Sequence, residues 1–449
     1  MRGSFAAVVP AGIPATQNIR HRPTHLAVDP IVRWTFYVFV MSIPFEYPPR
    51  SIPVEVHTIT GSIFLLAALL QPTVCFRKPP KAFWWLAVYL FVYLTLMVLY
   101  SKDIPNAMIF FFNMLQAAFL FWASYNLLRF DAIVKTTFLS FAISTMALAS
   151  LLIMGIGTTV YHSETEGDRV TVLGQDPNTV AANMALGLIT LIGLSYGLQA
   201  NKLRYRLIFW PMMALIAICL VMTGSRGGML GLGIGILAFT LKRGNIGKML
   251  RNFIIVLSTI GIAGWIAINT EPMKSRYNKS VKRGDMAGRQ YIFPAATAMI
   301  NEKPILGWGP INQQYELYNR TKHLEFGSKS KKRNTKHSHN LVLEVLTSTG
   351  LAGGIPLFIC IGLCVWGGWK ARAGIHGILP FALTLSVLTV NMTVPLQAAK
   401  QTWLIFAYAL VAGCYSISNN RLRSISQRQF GSKNGQKWQR GGGTAHLTR

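Results

Sequence analysis

Carboxylates are scarce in this chain. Its 449 residues hold 15 Asp and Glu against 44 Lys and Arg, a formal net charge of +29, and only 13% of residues are charged. Soluble domains carry about 25%. No G-x-x-x-x-G-K-[ST] run is present, which argues against ATP hydrolysis. No paired Asp residues stand in the predicted external loops where they could hold a divalent metal, and acidic residues are scarce there, which disfavours a transferase that holds a nucleotide sugar or lipid phosphate through a carboxylate-bound metal; no metal or other cofactor is expected. Cysteine is equally sparse. Cys75, Cys219, Cys360, Cys364 and Cys414 all avoid the predicted external loops, and no histidine stands beside them at ligand spacing. Neither a disulfide framework nor a zinc site is expected. Residues 1–30 lack an apolar core ahead of a small-residue cleavage site, so no cleaved signal peptide is expected and the first span serves as its own insertion signal.

Long apolar runs are what the chain has instead. Half of it (51%) is hydrophobic, more than one water-soluble core absorbs but what a bilayer accommodates at about 20 residues per helix. The runs predict an all-α polytopic membrane protein of about twelve spans: 31–46, 53–71, 82–100, 105–127, 132–156, 178–199, 205–223, 228–241, 250–268, 351–369, 374–394 and 400–418. Alternate loops hold Arg77, Lys78 and Lys81; Arg129 and Lys135; Lys202, Arg204 and Arg206; Lys242, Arg243, Lys248 and Arg251; Lys370 and Arg372. The positive-inside rule puts these loops, and both termini, in the cytoplasm. The segment 1–30 is then a cytoplasmic leader, 31–268 spans one to nine, 269–350 a large external loop with short helices, and 351–418 spans ten to twelve. The Gly- and Ser-rich basic tail 419–449 reads as a disordered extension drawn to lipid headgroups. No nucleic-acid motif is present; membrane lipids are the expected partners of the surface charge, not nucleic acid.

Residues 269–337 hold fourteen Lys and Arg against five Asp and Glu, a net of +9. Long loops escape the orientation rule, so the charge points to a phosphorylated substrate or to headgroups. The same loop ends in Lys336-His337-Ser338-His339-Asn340, followed by an apolar stretch with Glu344 and then Gly350 and Gly353. Residues 340–349 read as a helix with Ser338 as N-cap. Clustered imidazoles suit general-base work near neutral pH, since histidine titrates near 6.5, although a capping segment would also explain them. Residues two apart point to different faces of a helix, so one imidazole is expected to meet a substrate. In Thr223-Gly224-Ser225-Arg226-Gly227-Gly228 the glycines allow close approach of a phosphate that Arg226 can grip, or else the arginine snorkels. Arg289, in Ala287-Gly288-Arg289-Gln290-Tyr291, is a third cation. It precedes an apolar stretch broken by Pro294 and the turn Gly307-Trp308-Gly309-Pro310. Gln175-Asp176-Pro177-Asn178 reads as N-cap and N1 chemistry for the sixth span, with a substrate role as the alternative.

Taken together, these residues resemble the O-antigen ligase and polymerase superfamily. The resemblance lies in Asp176-Pro177-Asn178 before a span, Ser225-Arg226-Gly227-Gly228, Gly288-Arg289 followed by Pro304-Ile305-Leu306-Gly307-Trp308-Gly309, and His337-Ser338-His339-Asn340 with the later glycines. Order and placement agree over 170–355, and the chain is most similar to the lipopolysaccharide O-antigen ligases. That resemblance implies a fold related to the GT-C glycosyltransferases, with the large periplasmic loop between spans nine and ten, in the inner membrane of a Gram-negative bacterium. It implies transfer of O-antigen from undecaprenyl pyrophosphate to a hydroxyl of lipid A–core on the periplasmic face. It implies catalytic weight on Arg226, Arg289 and either His337 or His339.

Arginines that stabilise the departing pyrophosphate can replace both an acid and a metal, and a histidine can take the acceptor's proton. The expectation is direct, inverting displacement, with Arg226 and Arg289 holding pyrophosphate and Glu344 orienting the base. Lys336, Asn340, Trp308 and Asp176 are further candidates for substrate contact, and Lys329, Lys331, Lys332 and Arg333 for recruiting acceptor phosphates. The alternatives are an O-antigen polymerase, a protein O-oligosaccharyltransferase, or, more distantly, a twelve-span transporter; no internal repeat supports the last.

Overall fold

The computed structural model describes residues 28–45, 55–161, 169–197, 203–241, 246–269, 288–323, 334–374, 376–394 and 397–415. Nearly all of the leader 1–30, the tail 419–449 and the cluster Lys329–Arg333 therefore lie outside the described residues.

Helices dominate. In chain order they are α1 (Pro30–Ser42), α2 (Val56–Ala68), a single turn α3 (Pro72–Cys75), α4 (Lys81–Tyr100), α5 (Ile104–Leu127), α6 (Asp131–Ile153), α7 (Pro177–Gly197), α8 (Leu203–Met222), α9 (Arg226–Phe239), α10 (Ile246–Ile268), α11 (Arg289–Glu302), α12 (Asn312–Thr321), α13 (Leu341–Ala371), α14 (Leu379–Asn391) and a last helix, α15, over 400–415. Five of them are long and apolar enough to cross a membrane: Lys81–Tyr100, Ile104–Leu127, Asp131–Ile153, Pro177–Ser195 and Leu341–Ala371. Shorter apolar helices occupy the other predicted spans.

The burial pattern is that of a chain solvated by lipid. Trp34, Leu66, Phe91, Val98, Leu99 and Trp210 all face outward, where a soluble protein would place charge. Inside, the hydroxyls of Thr137, Thr145, Thr349 and Thr384 donate to the carbonyl four residues earlier in their own helices, which pairs these four in apolar surroundings. Helix α7 is the most enclosed of the long helices. Its largely apolar sequence packs against α6, α8, α9 and α14, which sets its first turn within the assembly.

Among the described residues, the chain departs from all-helical structure at one place. Thr158–Tyr161 (β1) and Arg169–Val172 (β2) pair antiparallel, Thr158 opposite Val172 and Tyr161 opposite Arg169. The β-branched runs Thr158-Thr159-Val160 and Val170-Thr171-Val172 account for it. A second departure concerns Pro294: helix α11 runs through it rather than breaking there.

The predicted helix 340–349 and the tenth span are one element, α13, bent at Gly350 (φ 59°, ψ −158°). Such a bend leaves carbonyls and amides without helical partners. The turn after α11 supplies them: Trp308 and Gly309 donate from their amides to the carbonyls of Thr347 (2.8 Å) and Ser348 (3.0 Å), while the amides of Leu351 and Ala352 donate to Pro304 (2.8 Å) and Ile305 (2.9 Å). The two backbones approach so closely that a Cβ on Gly350 would meet the backbone of Ile305 and Gly307. The Pro304–Gly309 motif is thus a clamp on the kink.

Candidate functional site

The site begins with four helix starts. Helix α7 opens on Pro177, whose fixed φ suits N1, and the Asp176 carboxylate accepts from the amide of Asn178 at 2.7 Å. Helix α9 opens on Arg226, with Ser225 as N-cap accepting from the amide of Gly228 at 3.3 Å. Helix α11 opens on Arg289 after Gly288 in the left-handed region. Helix α13 opens after Asn340, whose side chain accepts from the amides of Val342 (3.0 Å) and Leu343 (3.2 Å). The predicted cap, Ser338, is corrected to Asn340: His339 adopts a left-handed φ of 52°, so the helix starts one residue later than the sequence pattern suggests.

Contacts draw these starts together. The Ser225 hydroxyl donates to the Asn178 side chain at 2.9 Å, and a Cβ on Gly228 would lie 2.6 Å from that of Ala181, so α9 and α7 touch at their first turns. Gly227 abuts Thr393 closely enough that any side chain would strike it, and Arg289 donates from Nη2 to the carbonyl of the same Thr393 at 3.0 Å. His339 lies within electrostatic range of Arg289, Asp176, His337 and Glu344. Arg226, Arg289, Asp176 and His339, distant in sequence, are therefore neighbours.

Burial lowers the pKa of His339 below its ordinary value. The charges of His337 and Arg289 add to the effect, and the carboxylates of Glu344 and Asp176 oppose it. The imidazole is thereby neutral at pH 7 and able to accept a proton.

The two histidines have different settings. His337 is half exposed, and its Nδ1 lies 3.1 Å from Glu344 Oε1. The other carboxylate oxygen of Glu344 accepts from the amide (2.8 Å) and hydroxyl (2.7 Å) of Ser338. Glu344 thus grips the residue between the two imidazoles. Lys336 enters through its backbone, its amide donating to the Gln314 carbonyl at 3.1 Å. Trp308 is engaged on several sides: its indole N–H donates to the Met299 carbonyl at 3.0 Å, and Lys303 and Arg320 sit over its rings at 4.0 and 5.1 Å. Arg320 is itself fixed by Glu302 and Glu316.

Sequence reasoning passed over Arg169, read only as a loop charge. It is buried (2% exposed) and donates to the Asn178 side chain at 2.7 Å and the Thr223 carbonyl at 3.2 Å, tying the start of α7 to the end of α8 beside Arg226. An arginine inside the β-branched run Arg169-Val170-Thr171-Val172 was the available signal.

Chemically, two guanidinium groups and the positive ends of helix dipoles beside a neutral imidazole can hold an anion such as a diphosphate and take up a proton next to it. No curated protein matches the chain. Residues 211–359, which contain Arg226, Arg289, both histidines and the kink, match a family model described as O-Antigen ligase. That match covers about a third of the chain; it bears out the resemblance read from the motifs and supports a membrane enzyme of the O-antigen ligase and polymerase type.

Proposed function

We propose that this protein is a metal-independent, inverting glycosyltransferase that moves O-antigen from undecaprenyl pyrophosphate to a sugar hydroxyl of lipid A–core at the periplasmic face of the inner membrane. Arg226 and Arg289 hold the pyrophosphate. His339 is the general base. The acceptor hydroxyl attacks the anomeric carbon as His339 takes its proton; the bond from that carbon to the pyrophosphate oxygen breaks, and undecaprenyl pyrophosphate leaves with the electron pair. The guanidinium groups offset the charge growing on the leaving group, the role that metal ions fill elsewhere. Both termini lie in the cytoplasm, as the loop charges favour.

The observation that carries this reading is the meeting of Arg226, Arg289, Asp176 and His339 at helix starts contributed by four separate segments of the chain. His339 is preferred to His337 as base because it is the imidazole set among Arg289 and Asp176 and held neutral there, whereas His337 is paired with Glu344. The test is transfer by purified protein in detergent, with no ion gradient, from lipid-linked O-antigen to lipid A–core. The wild type turns over, His339→Ala loses on the order of a hundredfold or more, and His337→Ala retains more activity than His339→Ala. Equal turnover by His339→Ala and wild type would refute the base assignment. Glycan extended on the lipid carrier, with none on lipid A–core, would identify a polymerase.

A further inference from the structure

Beside His337 the top of the bundle is hollow. An open-sided cavity lies between Tyr93 of α4, Phe110 of α5, Gln313 and Gln314 of α12, Gln397, His337 and Glu344. Its lining contains no lysine or arginine and none of Arg226, Arg289 or Asp176. Three carboxamides and the Glu344 carboxylate offer donors and acceptors to hydroxyls, two aromatic rings offer apolar faces, and there is no lysine or arginine to attract phosphate, which the carboxylate would repel. That chemistry suits a neutral polyol.

Two further observations point to a ligand there. Gln313 is 5% exposed, and its carbonyl oxygen Oε1 is buried with no hydrogen-bond partner among the described residues. A buried acceptor left unpaired is costly in a native structure, and a ligand hydroxyl donating to it would remove the cost. Ile311, in the cavity wall, holds φ at 66°, a conformation that β-branched residues rarely adopt. Such strain persists where surrounding structure enforces it, and it gathers at functional sites. The segment is pinned from outside: Ser101 donates to the Pro310 carbonyl at 3.1 Å, the Lys102 amide to the Asn312 side chain at 2.9 Å, and Tyr315 to Asp103 at 2.7 Å.

We infer that this cavity is a subsite for an uncharged sugar unit of the acceptor, adjacent to the unit that bears the reacting hydroxyl, and that Gln313 determines specificity there. The inference rests on the transfer reaction proposed above. Direct displacement places nucleophile and leaving group on opposite sides of the anomeric carbon. A cavity that excludes the diphosphate-holding arginines and adjoins the histidine segment accordingly belongs with the acceptor. A site built to hydrogen-bond hydroxyls also discriminates strongly against sugars that lack them.

The experiment compares wild type, Gln313→Leu and Gln397→Leu by steady-state transfer, with donor and acceptor varied separately. The expected result is an acceptor KM raised about tenfold or more by Gln313→Leu, with donor KM unchanged and kcat at saturating acceptor near wild type. A change confined to donor KM would assign the cavity to the donor and overturn the proposal, as would unchanged constants in both variants. Binding is read independently on His339→Ala protein, with and without Gln313→Leu, using oligosaccharide freed from lipid A–core by mild acid and then dephosphorylated. The subsite reading expects saturable binding that weakens about tenfold with Gln313→Leu; no binding, or binding indifferent to Gln313, overturns it. If Gln313→Leu does not fold, Gln397→Leu in the same binding assay decides, with weakened binding expected. Because this assay needs no turnover, failure of the base assignment shows in the transfer assay alone.

Discussion

Replacing Glu344 separates its role in holding the histidine segment from a role as mere filler. Its side chain is 9% exposed and receives three hydrogen bonds: from the Ser338 amide at 2.8 Å, from the Ser338 hydroxyl at 2.7 Å and across 3.1 Å with His337 Nδ1. Glu344→Ala strips all three and leaves the buried Ser338 amide unpaired, while the Ser338 hydroxyl keeps only its contact with the Asn340 carbonyl at 3.1 Å. Each such loss is worth about 1–3 kcal/mol, so the expected destabilisation is about 2–5 kcal/mol. Glu344→Gln behaves differently. Its carbonyl oxygen can keep both Ser338 donors while its NH2 faces His337 Nδ1, which accepts once the imidazole proton moves to Nε2. That variant should lie within about 1 kcal/mol of wild type. In both variants the imidazoles lose the carboxylate that aligns them, and turnover should fall on the order of tenfold to a hundredfold. Thermal melts in detergent with parallel transfer assays measure both effects. Wild-type melting of Glu344→Ala, or equal destabilisation by the two substitutions, would show that the Ser338 and His337 contacts do not hold this segment.

Gly350→Ala should prevent or severely impair folding, because φ 59° and ψ −158° is a region open in practice only to glycine and the new Cβ would strike the backbone of Ile305; yield and melting temperature of the purified variant check this. Gly227→Ala should cost about 1–3 kcal/mol and lower turnover more than its stability explains, since it forces apart the start of α9 and Thr393, the anchor of Arg289; a wild-type rate would contradict the shared anchor. Chelator should leave transfer unchanged, measured with and without excess EDTA, if arginines carry the leaving-group charge. The depressed pKa of His339 places the acid limb of kcat/KM below the ordinary histidine value near 6.5. The unfolded chain binds the proton that folded His339 refuses, so this histidine's stabilising contribution is complete above about pH 6.5 and is lost as pH falls through its lowered folded value. His339→Gln should flatten that acid-side slope in a pH series of melts.

Charge and hydropathy made the membrane helices legible, because apolar runs of span length have few other physical solutions. The local chemistry of Asp176-Pro177 was legible too, since capping rests on neighbours in sequence. What sequence could not supply was adjacency. Nothing in Thr393 hints that its carbonyl anchors Arg289 while its side chain meets Gly227. Nor does Arg169 announce from its strand that it will clamp Asn178. The cap at residues 338–340 was misplaced by one left-handed backbone angle at His339, which spacing in the sequence does not reveal. Among the described residues, the non-glycine positions with positive φ are Leu173, Ile311 and His339. They fall respectively three residues before Asp176, in the cavity wall and at the proposed base.

The scarcity of acid then has a structural counterpart. Where the four helix starts meet, backbone dipoles and guanidinium groups all present positive charge, and the carboxylates nearby are committed. Asp176 caps α7, and Glu344 holds Ser338 and His337. An additional free carboxylate would neutralise the field that attracts a diphosphate. It would also raise the pKa of His339, as Glu344 and Asp176 already tend to do, and leave less neutral imidazole to accept a proton. On the proposed reaction, a site that binds a dianionic leaving group and needs an uncharged base is served on both counts by keeping acids few and engaged.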